Sequence, residues 1–345
     1  GTLKMAEQLP LREPESKNWK FFMDLPDMDR SKLNLDTVKD IQLLRPLFEF
    51  SGACAGCGET AYVKLISALF GERALIANAT GCSSIYGGNL PTTPWAVNKE
   101  GVGPAWANSL FEDAAEFGLG FRLTLDKHAE YASELLQKLE PEVGKEIIDA
   151  ILDAPQGTEE EIKVVKAKVA ELKEKLKALG TEKAQEMLTL ADNLVRKTIW
   201  NIGGDGWAYD IGFGGLDHVL ASGEDVNVFV FNTEVYSNTG GQASKASNIG
   251  QVAQFAAAGK EIKSKSLAEI AMTYGYVYVA QIAMGANMMQ TLKAIREAEA
   301  YHGPSLIIAY APCEMHSIKG GMTNCQKEMK KAVECGYWNL FRYNP

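Results

Sequence analysis

The chain's first strongly patterned segment, FEFSGACAGCGET at Phe48–Thr60, holds two cysteines in C-x-x-C spacing. Cys54 and Cys57 are crowded by glycine and alanine and followed by an acid, Glu59. That spacing serves a metal, a thiol/disulfide couple or a small closed loop, and does not by itself choose among them. Two more cysteines stand alone at the ends of apolar runs: Cys82 in NATGCSSIYGGN and Cys313 in YAPC. Four thiolates brought to one place would hold Zn²⁺ or an iron–sulfur cluster. A zinc ribbon usually takes two close pairs, whereas the third and fourth thiols here are single and far apart. Cys325 and Cys335 lie in polar, helix-patterned sequence, MTNCQKEMKKAVECG. They are assigned no ligand role, Cys325 being the substitute if Cys313 fails.

A second constellation suits a polyphosphate. Gly204-Asp205-Gly206, in GGDGWAYDIG, closes one apolar run. Asn232-Thr233, in FNTEVYSNTGGQ, closes the next, with residues 207–231 between. A Gly-Asp-Gly turn at a strand end aims a carboxylate at a ligand, and glycine turns leave N–H groups free for phosphate oxygens. A diphosphate needs a hard cation, and Mg²⁺ wants octahedral oxygens. Asp205 supplies a carboxylate, and the turn after the second strand supplies a side-chain oxygen and a carbonyl. The arrangement resembles the thiamine diphosphate (TPP) signature. It departs from that signature once: the common pattern has Asn-Asn where this chain has Asn232-Thr233, although threonine still offers an oxygen. For GDG alone, a plain turn capped by Asp is the simpler account. The second turn at this spacing is what favours the cofactor.

The elements that must position these groups read as α/β. ALIANAT, WNIGG, VNVFVFN, YVYVAQIA and SLIIAYAPC have the apolar, β-branched character of buried strands. Helical patterns fall between them, in ETAYVKLISALFG, FGGLDHVLASG, SLAEIAMTYG and NMMQTLKAIREAEAYHG. Alternation of this kind predicts a parallel sheet with helices on both faces, and ligands then sit at the carboxyl ends of the strands. The special residues fall there. Gly81–Pro104 reads as a long loop and WANSLFEDAAEFG at 106–118 as helical. Residues 1–47 are polar and proline-punctuated, an irregular arm or linker; 48–345 form the main domain. Within it, about 126–198, charge rises and glycine falls. Thr158 with Glu161 fits a capping box, and Ile162, Val165, Val169, Leu172, Leu176 and Leu179 recur by three and four. This predicts an inserted helical hairpin with a solvated charged face.

Taken together the chain resembles the TPP-binding C-terminal part of the pyruvate:ferredoxin oxidoreductases, within the 2-oxoacid:acceptor oxidoreductase family. FEFSGACAGCGET, NATGCSSIYGGNLPTTP, GPAWANSLFEDAAEFG, GGDGWAYDIG, NTEVYSNTGGQ and YAPC carry the likeness, from about Leu47 to the end. The resemblance implies a TPP-binding fold and assigns roles. Cys54, Cys57, Cys82 and Cys313 would hold one [4Fe–4S] cluster. Asp205, Thr233 and the Val235 carbonyl would bind Mg²⁺. Glu59, Cys82, Gly204, Asp205, Gly206, Trp207, Thr233, Glu234, Val235, Tyr236, Ser237 and Asn238 would line TPP, Asn238 also facing the substrate carbonyl. The implied reaction oxidises pyruvate with coenzyme A to acetyl-CoA and CO₂, electrons leaving through the cluster to ferredoxin or flavodoxin. The cofactor-activating glutamate and the remaining clusters of the family have no counterpart motif here. The chain is therefore expected to need N-terminal domains or subunits of the same enzyme for turnover, in a homodimer when complete. Another 2-oxoacid as substrate, or a zinc-stabilised domain without catalysis, are the alternatives.

Composition narrows the field. With 46% hydrophobic and 23% charged residues the chain has a globular composition. A net charge of −9 argues against nucleic acid or an anionic membrane as main partner. Six cysteines in 345 residues do not make a secreted disulfide scaffold, so a reducing cytoplasm is expected. The opening GTLKM and closing FRYNP read as the ends of a segment of a longer polypeptide. His128, His218 and His302 read as ordinary surface or helix histidines; His316, just after Cys313 in CEMHS, reads as a surface-loop histidine, with a place near the cluster as the lesser reading.

Overall fold

The computed structural model describes residues 4–89 and 91–345. The strands are β1 Ala74–Asn78, β2 Ala105–Asn108, β3 Thr198–Gly203, β4 Asn227–Asn232, β5 Val235–Tyr236, β6 Gln242–Ala243, β7 Tyr278–Ile282, β8 Ser305–Tyr310 and β9 Phe341–Tyr343. Seven of them form one sheet in the order β2-β1-β3-β4-β8-β7-β9, parallel except for the β7–β9 pair. Every residue of β3 and β4 is buried, as a strand covered on both faces requires. This is the expected α/β architecture, a mostly parallel sheet with helices around it. Strands β5 and β6 make a separate antiparallel hairpin. Among the described residues no helix is long and apolar enough to cross a membrane.

The topology decides where chemistry can occur. Strands β1, β3, β4 and β8 are consecutive neighbours, so their carboxyl ends lie side by side. Those ends carry Asn78–Cys82, Gly204–Gly206, the start of Asn232–Asn238, and Cys313, the special residues of the sequence.

Several local expectations are corrected. Residues 105–108 are a strand, not the start of a helix: β2 pairs with β1 and the helix begins only at Ala114. The loop after Gly81 opens with a short helix, Cys82–Gly87. The arm is not wholly irregular, since Leu9–Asp24 is helical, although it buries none of its side chains. The insertion is more than a hairpin. A single helix, Ala114–Lys138, starts against the sheet and runs on into the insertion, where helices Lys145–Leu152, Glu159–Leu179 and Glu182–Leu190 join it. Ile162, Val165, Val169, Leu172 and Leu176 are buried with Leu135, Leu136, Ile148 and Met187 in a second hydrophobic core. The Thr158–Glu161 capping box forms, the Glu161 N–H donating to Thr158 Oγ1 at 3.2 Å.

A buried arginine fastens this insertion to the sheet layer. Arg73, 7% exposed, reaches Glu159 at 2.7 Å on the insertion and Glu299 at 2.6 Å on helix Met288–Ala300. Removing one partner of such a pair leaves an uncompensated buried charge. Arg73→Met should therefore destabilise the fold by about 3 kcal/mol, the low end of the usual range because Arg196 stays 3.6 Å from Glu299. The denaturant midpoint reads this, and an unchanged midpoint would show the tie to be idle.

Candidate functional site

Glycine lets the C-x-x-C loop reach the end of β8. A Cβ at Gly56 would lie 2.4 Å from the Met322 carbonyl oxygen, and one at Gly58 would lie 2.6 Å from that of Pro312. Only residues without a side chain allow the loop to press on the segment that carries Cys313. The Cys57 N–H donates to the Cys54 carbonyl at 3.0 Å and closes the turn. Cys82 is the first residue of helix Cys82–Gly87, directly after β1. All four thiols are free.

They also sense one another. Burial pushes Cys57, Cys82 and Cys313 up to about 12, with the Glu59 carboxylate adding to each and neighbouring thiols contributing: Cys82 on Cys57, Cys313 and Cys54 on Cys82, Cys57 and Cys54 on Cys313. Thiols raised in this way are poor nucleophiles on their own, whereas a bound metal centre would hold them as thiolates. Cys325 is buried in the main core and interacts with Glu328, Tyr62 and Tyr310 rather than with these four. Cys335 is exposed at the end of helix Cys325–Glu334. Among the described residues no three acidic, imidazole or thiol side chains close on a single point as ligands of one ion.

Glu59 directly precedes helix Thr60–Phe70, its side chain making no capping hydrogen bond, and is 4% exposed. Burial raises its carboxyl to about 7, against a 3.0 Å hydrogen bond from the Tyr86 hydroxyl.

The polyphosphate constellation lies next door. Asp205 is 2% exposed at the end of β3. Its Oδ1 accepts from the Thr233 N–H at 3.1 Å and its Oδ2 from the Ser244 hydroxyl at 2.6 Å. Burial holds its carboxyl well above the ordinary range, with the charges of Glu234 and Asp210 adding to the effect. A buried acid among acids wants a cation. Thr233 Oγ1 lies 3.0 Å from the Val235 carbonyl oxygen. That is about the edge of an octahedron whose oxygens stand roughly 2.1 Å from its centre, the Mg²⁺ spacing. Asp205 thus meets Thr233, and Thr233 meets the Val235 carbonyl, so the predicted set of three lies together.

Other expected residues are placed less uniformly. Gly204 and Gly206 follow β3, and Gly206–Asp210 forms a single wide helical turn. Trp207 is fully buried in the main core. Glu234 takes a left-handed φ of 64°, strained for a non-glycine residue. Its carboxylate turns away from the cation loop and accepts from Gln251 at 2.6 Å and the Tyr337 hydroxyl at 2.7 Å. Val235 and Tyr236 form β5, while Asn238 is exposed at the hairpin tip. Cys82 Sγ lies 4.0 Å from Asn238 Oδ1. One cysteine thus joins the two constellations.

Sequence reasoning missed three contributors. Ser244 and Ser247, three apart in ASKAS, grip Asp205 and the Glu234 carbonyl. Glu112, with φ 60° and a buried carboxylate oxygen lacking a partner, sits near Tyr236, and burial raises it to about 7. His316 is no idle surface histidine. Its Nε2 lies 2.9 Å from the Thr233 carbonyl oxygen and its Nδ1 3.2 Å from that of Val252. It ties the Cys313 loop to the cation loop. His316→Ala should weaken Mg²⁺-dependent TPP binding about tenfold, in line with other outer-sphere supports. A titration showing native affinity would remove that role.

Comparison with known proteins follows this geometry. The thiamine pyrophosphate enzyme C-terminal TPP-binding domain matches residues 165–309, which include Asp205 and Thr233. The pyruvate-flavodoxin oxidoreductase of a Nostoc species is 58% identical over 99% of this chain. That of Rhodospirillum rubrum is 53% identical over 95%, and the pyruvate:ferredoxin oxidoreductase of Moorella thermoacetica 53% over 99%. The chain belongs to this family. It spans only 29%, 28% and 30% of those three relatives' own lengths, so it corresponds to one portion of a larger enzyme. A solved 2-oxoglutarate:ferredoxin oxidoreductase from Magnetococcus marinus aligns with 85% of the chain and 70% of its own at 14% identity and TM-score 0.46, too distant to add to the family match.

Proposed function

We propose that this chain supplies the TPP–Mg²⁺ site and one [4Fe–4S] cluster of a pyruvate:ferredoxin or flavodoxin oxidoreductase, working with the rest of that enzyme. The observation behind the reading is Cys82, whose Sγ lies 4.0 Å from Asn238 Oδ1 of the hairpin and whose thiol feels the charges of Cys313 and Cys54. A cluster there would stand beside the cofactor whose electrons it must take.

TPP, when bound, supplies the electron sink for decarboxylation, and an adjacent cluster accepts electrons singly. The chain's own residues do the positioning. Asp205, Thr233 and the Val235 carbonyl would hold Mg²⁺, and the backbone of Gly204–Trp207 would meet the diphosphate. Glu59, fixed by Tyr86, would form the wall between cofactor and thiols. Asn238, at the hairpin tip, would hydrogen-bond the substrate carbonyl. Cys54, Cys57, Cys82 and Cys313 would ligate the cluster.

Iron, acid-labile sulfide and zinc content of anaerobically purified protein tests this, followed by pyruvate- and coenzyme A-dependent reduction of ferredoxin or flavodoxin. About four irons and four sulfides per chain are expected. Turnover should require the remaining polypeptide of the enzyme. One zinc without sulfide would overturn the cluster, and reduction with another 2-oxoacid but not pyruvate would overturn the substrate.

A further inference from the structure

After the β5–β6 hairpin the chain makes a tight turn, Ser244–Ser247, that faces two ways. On one side its hydroxyls serve the site. Ser244 Oγ donates to Asp205 Oδ2 at 2.6 Å, Ser247 Oγ donates to the Glu234 carbonyl, and the Ser244 N–H donates to Ser247 Oγ at 2.9 Å. On the other side the carbonyls of Ser244, Lys245 and Ser247 converge. The Nζ of Lys260 sits between them, at 2.9, 3.3 and 2.8 Å.

An ammonium carries three N–H donors and no acceptor, and here each donor has a carbonyl. The base of the side chain is held too, because the Lys260 carbonyl accepts from the Gly250 N–H at 2.8 Å. Burial and the neighbouring Lys245 charge hold the ammonium's pKa below its ordinary value, while the carboxylates of Asp210 and Asp205 favour the charge. Backbone carbonyls closing around a small positive centre are the way proteins strip and hold a monovalent cation. We propose that Lys260 is a positioning residue acting as a tethered cation: it fills a carbonyl nest and so fixes the two serine hydroxyls that orient Asp205 and the Thr233–Val235 turn. The proposal rests on the Mg²⁺–TPP reading above. It adds a specific prediction, that the nest emptied of lysine becomes a binding site for K⁺ or ammonium.

The test uses the intact protein, native and Lys260→Met, in buffers whose only monovalent cation is tetramethylammonium, Li⁺, K⁺ or ammonium. Two quantities are read: Mg²⁺-dependent TPP affinity by calorimetry, and melting of the metal-free protein. The native protein should ignore the choice of cation in both. Lys260→Met should bind TPP about 10–100-fold more weakly in tetramethylammonium, the usual range for outer-sphere supports. K⁺ and ammonium should restore affinity and raise the melting temperature, with Li⁺ less effective. Lys260→Arg keeps the charge but presents a planar fork. It should bind TPP weakly and stay insensitive to K⁺, because its own side chain blocks the nest. Native TPP affinity for Lys260→Met in every buffer would overturn the proposal, as would a loss that no cation repairs. K⁺-dependent melting of Lys260→Met, with no TPP binding by native protein, would instead keep the nest and overturn the cofactor reading.

Discussion

Asp205→Asn should abolish Mg²⁺-dependent TPP binding while leaving the metal-free protein at least as stable as the native one. The two halves of this expectation come from one fact, the burial of a carboxylate that is 2% exposed and has Glu234 and Asp210 nearby. Asparagine keeps the shape. Its Oδ1 still accepts the Thr233 N–H, now 3.1 Å from Asp205 Oδ1, and only the charge goes. Without a cation that charge opposes folding, since an ion in a poorly solvated site beside like charges is disfavoured. Removing it should leave the melting temperature of the metal-free protein unchanged or higher. With a cation the sign reverses. Asp205 is the only charged group in the proposed Mg²⁺ set, the others being a hydroxyl and a carbonyl. Changes in outer-sphere partners alone weaken metal sites about 10–100-fold, so loss of the charged ligand should exceed about a hundredfold. Calorimetric titration of TPP with Mg²⁺ measures this. Native affinity in the variant would remove Asp205 from the cation site. Weak affinity with a collapsed fold would instead make Asp205 a structural acid.

The strands that hold the site were easy to read, and the reason is burial. β3, β4 and β8 are almost wholly enclosed, so TIWNIG, NVFVFN and SLIIAY are apolar or β-branched nearly throughout. Within the main sheet, the two strands that escaped notice, β2 and β9, are its edges. Their side chains are half-exposed, and their identity comes from backbone pairing to β1 and β7. Sequence carries little trace of that. The same distinction runs through the site. Asp205, Thr233 and the C-x-x-C pair announce themselves by local spacing. His316, Ser247 and Lys260 act through backbone carbonyls outside their own local sequence, and such bonds leave no residue-type signature on the accepting side. The inward-reading Glu234 shows the converse: its position in the motif was legible, but its left-handed backbone and the turn of its carboxylate toward Gln251 and Tyr337 were not.

Cys313→Ala should empty the proposed cluster, and Cys335→Ala should not. Both replace a thiol with a methyl group, so the contrast isolates position. Cys313 follows β8, where Gly58 brings the C-x-x-C loop against Pro312, and burial raises its thiol to about 12 with Glu59, Cys57 and Cys54 contributing. Cys335 is exposed at a helix end, its Sγ 3.5 Å from the Ala332 carbonyl. A cube of four irons needs a thiolate at each corner. Three remaining thiols would leave one iron open, so iron should fall from about four per chain toward three or fewer, with a changed reduced-state EPR signal. Because His316 lies three residues beyond Cys313 and holds the Thr233 carbonyl at 2.9 Å, the same variant discriminates further. If the Cys313 loop is positioned by the cluster, its loss should loosen His316 and weaken TPP binding as well. If His316 and Gly58 hold the loop without help, TPP affinity should survive the loss of iron. Full iron in Cys313→Ala would refute the fourth ligand outright and turn attention to Cys325, buried in the core at the start of helix Cys325–Glu334.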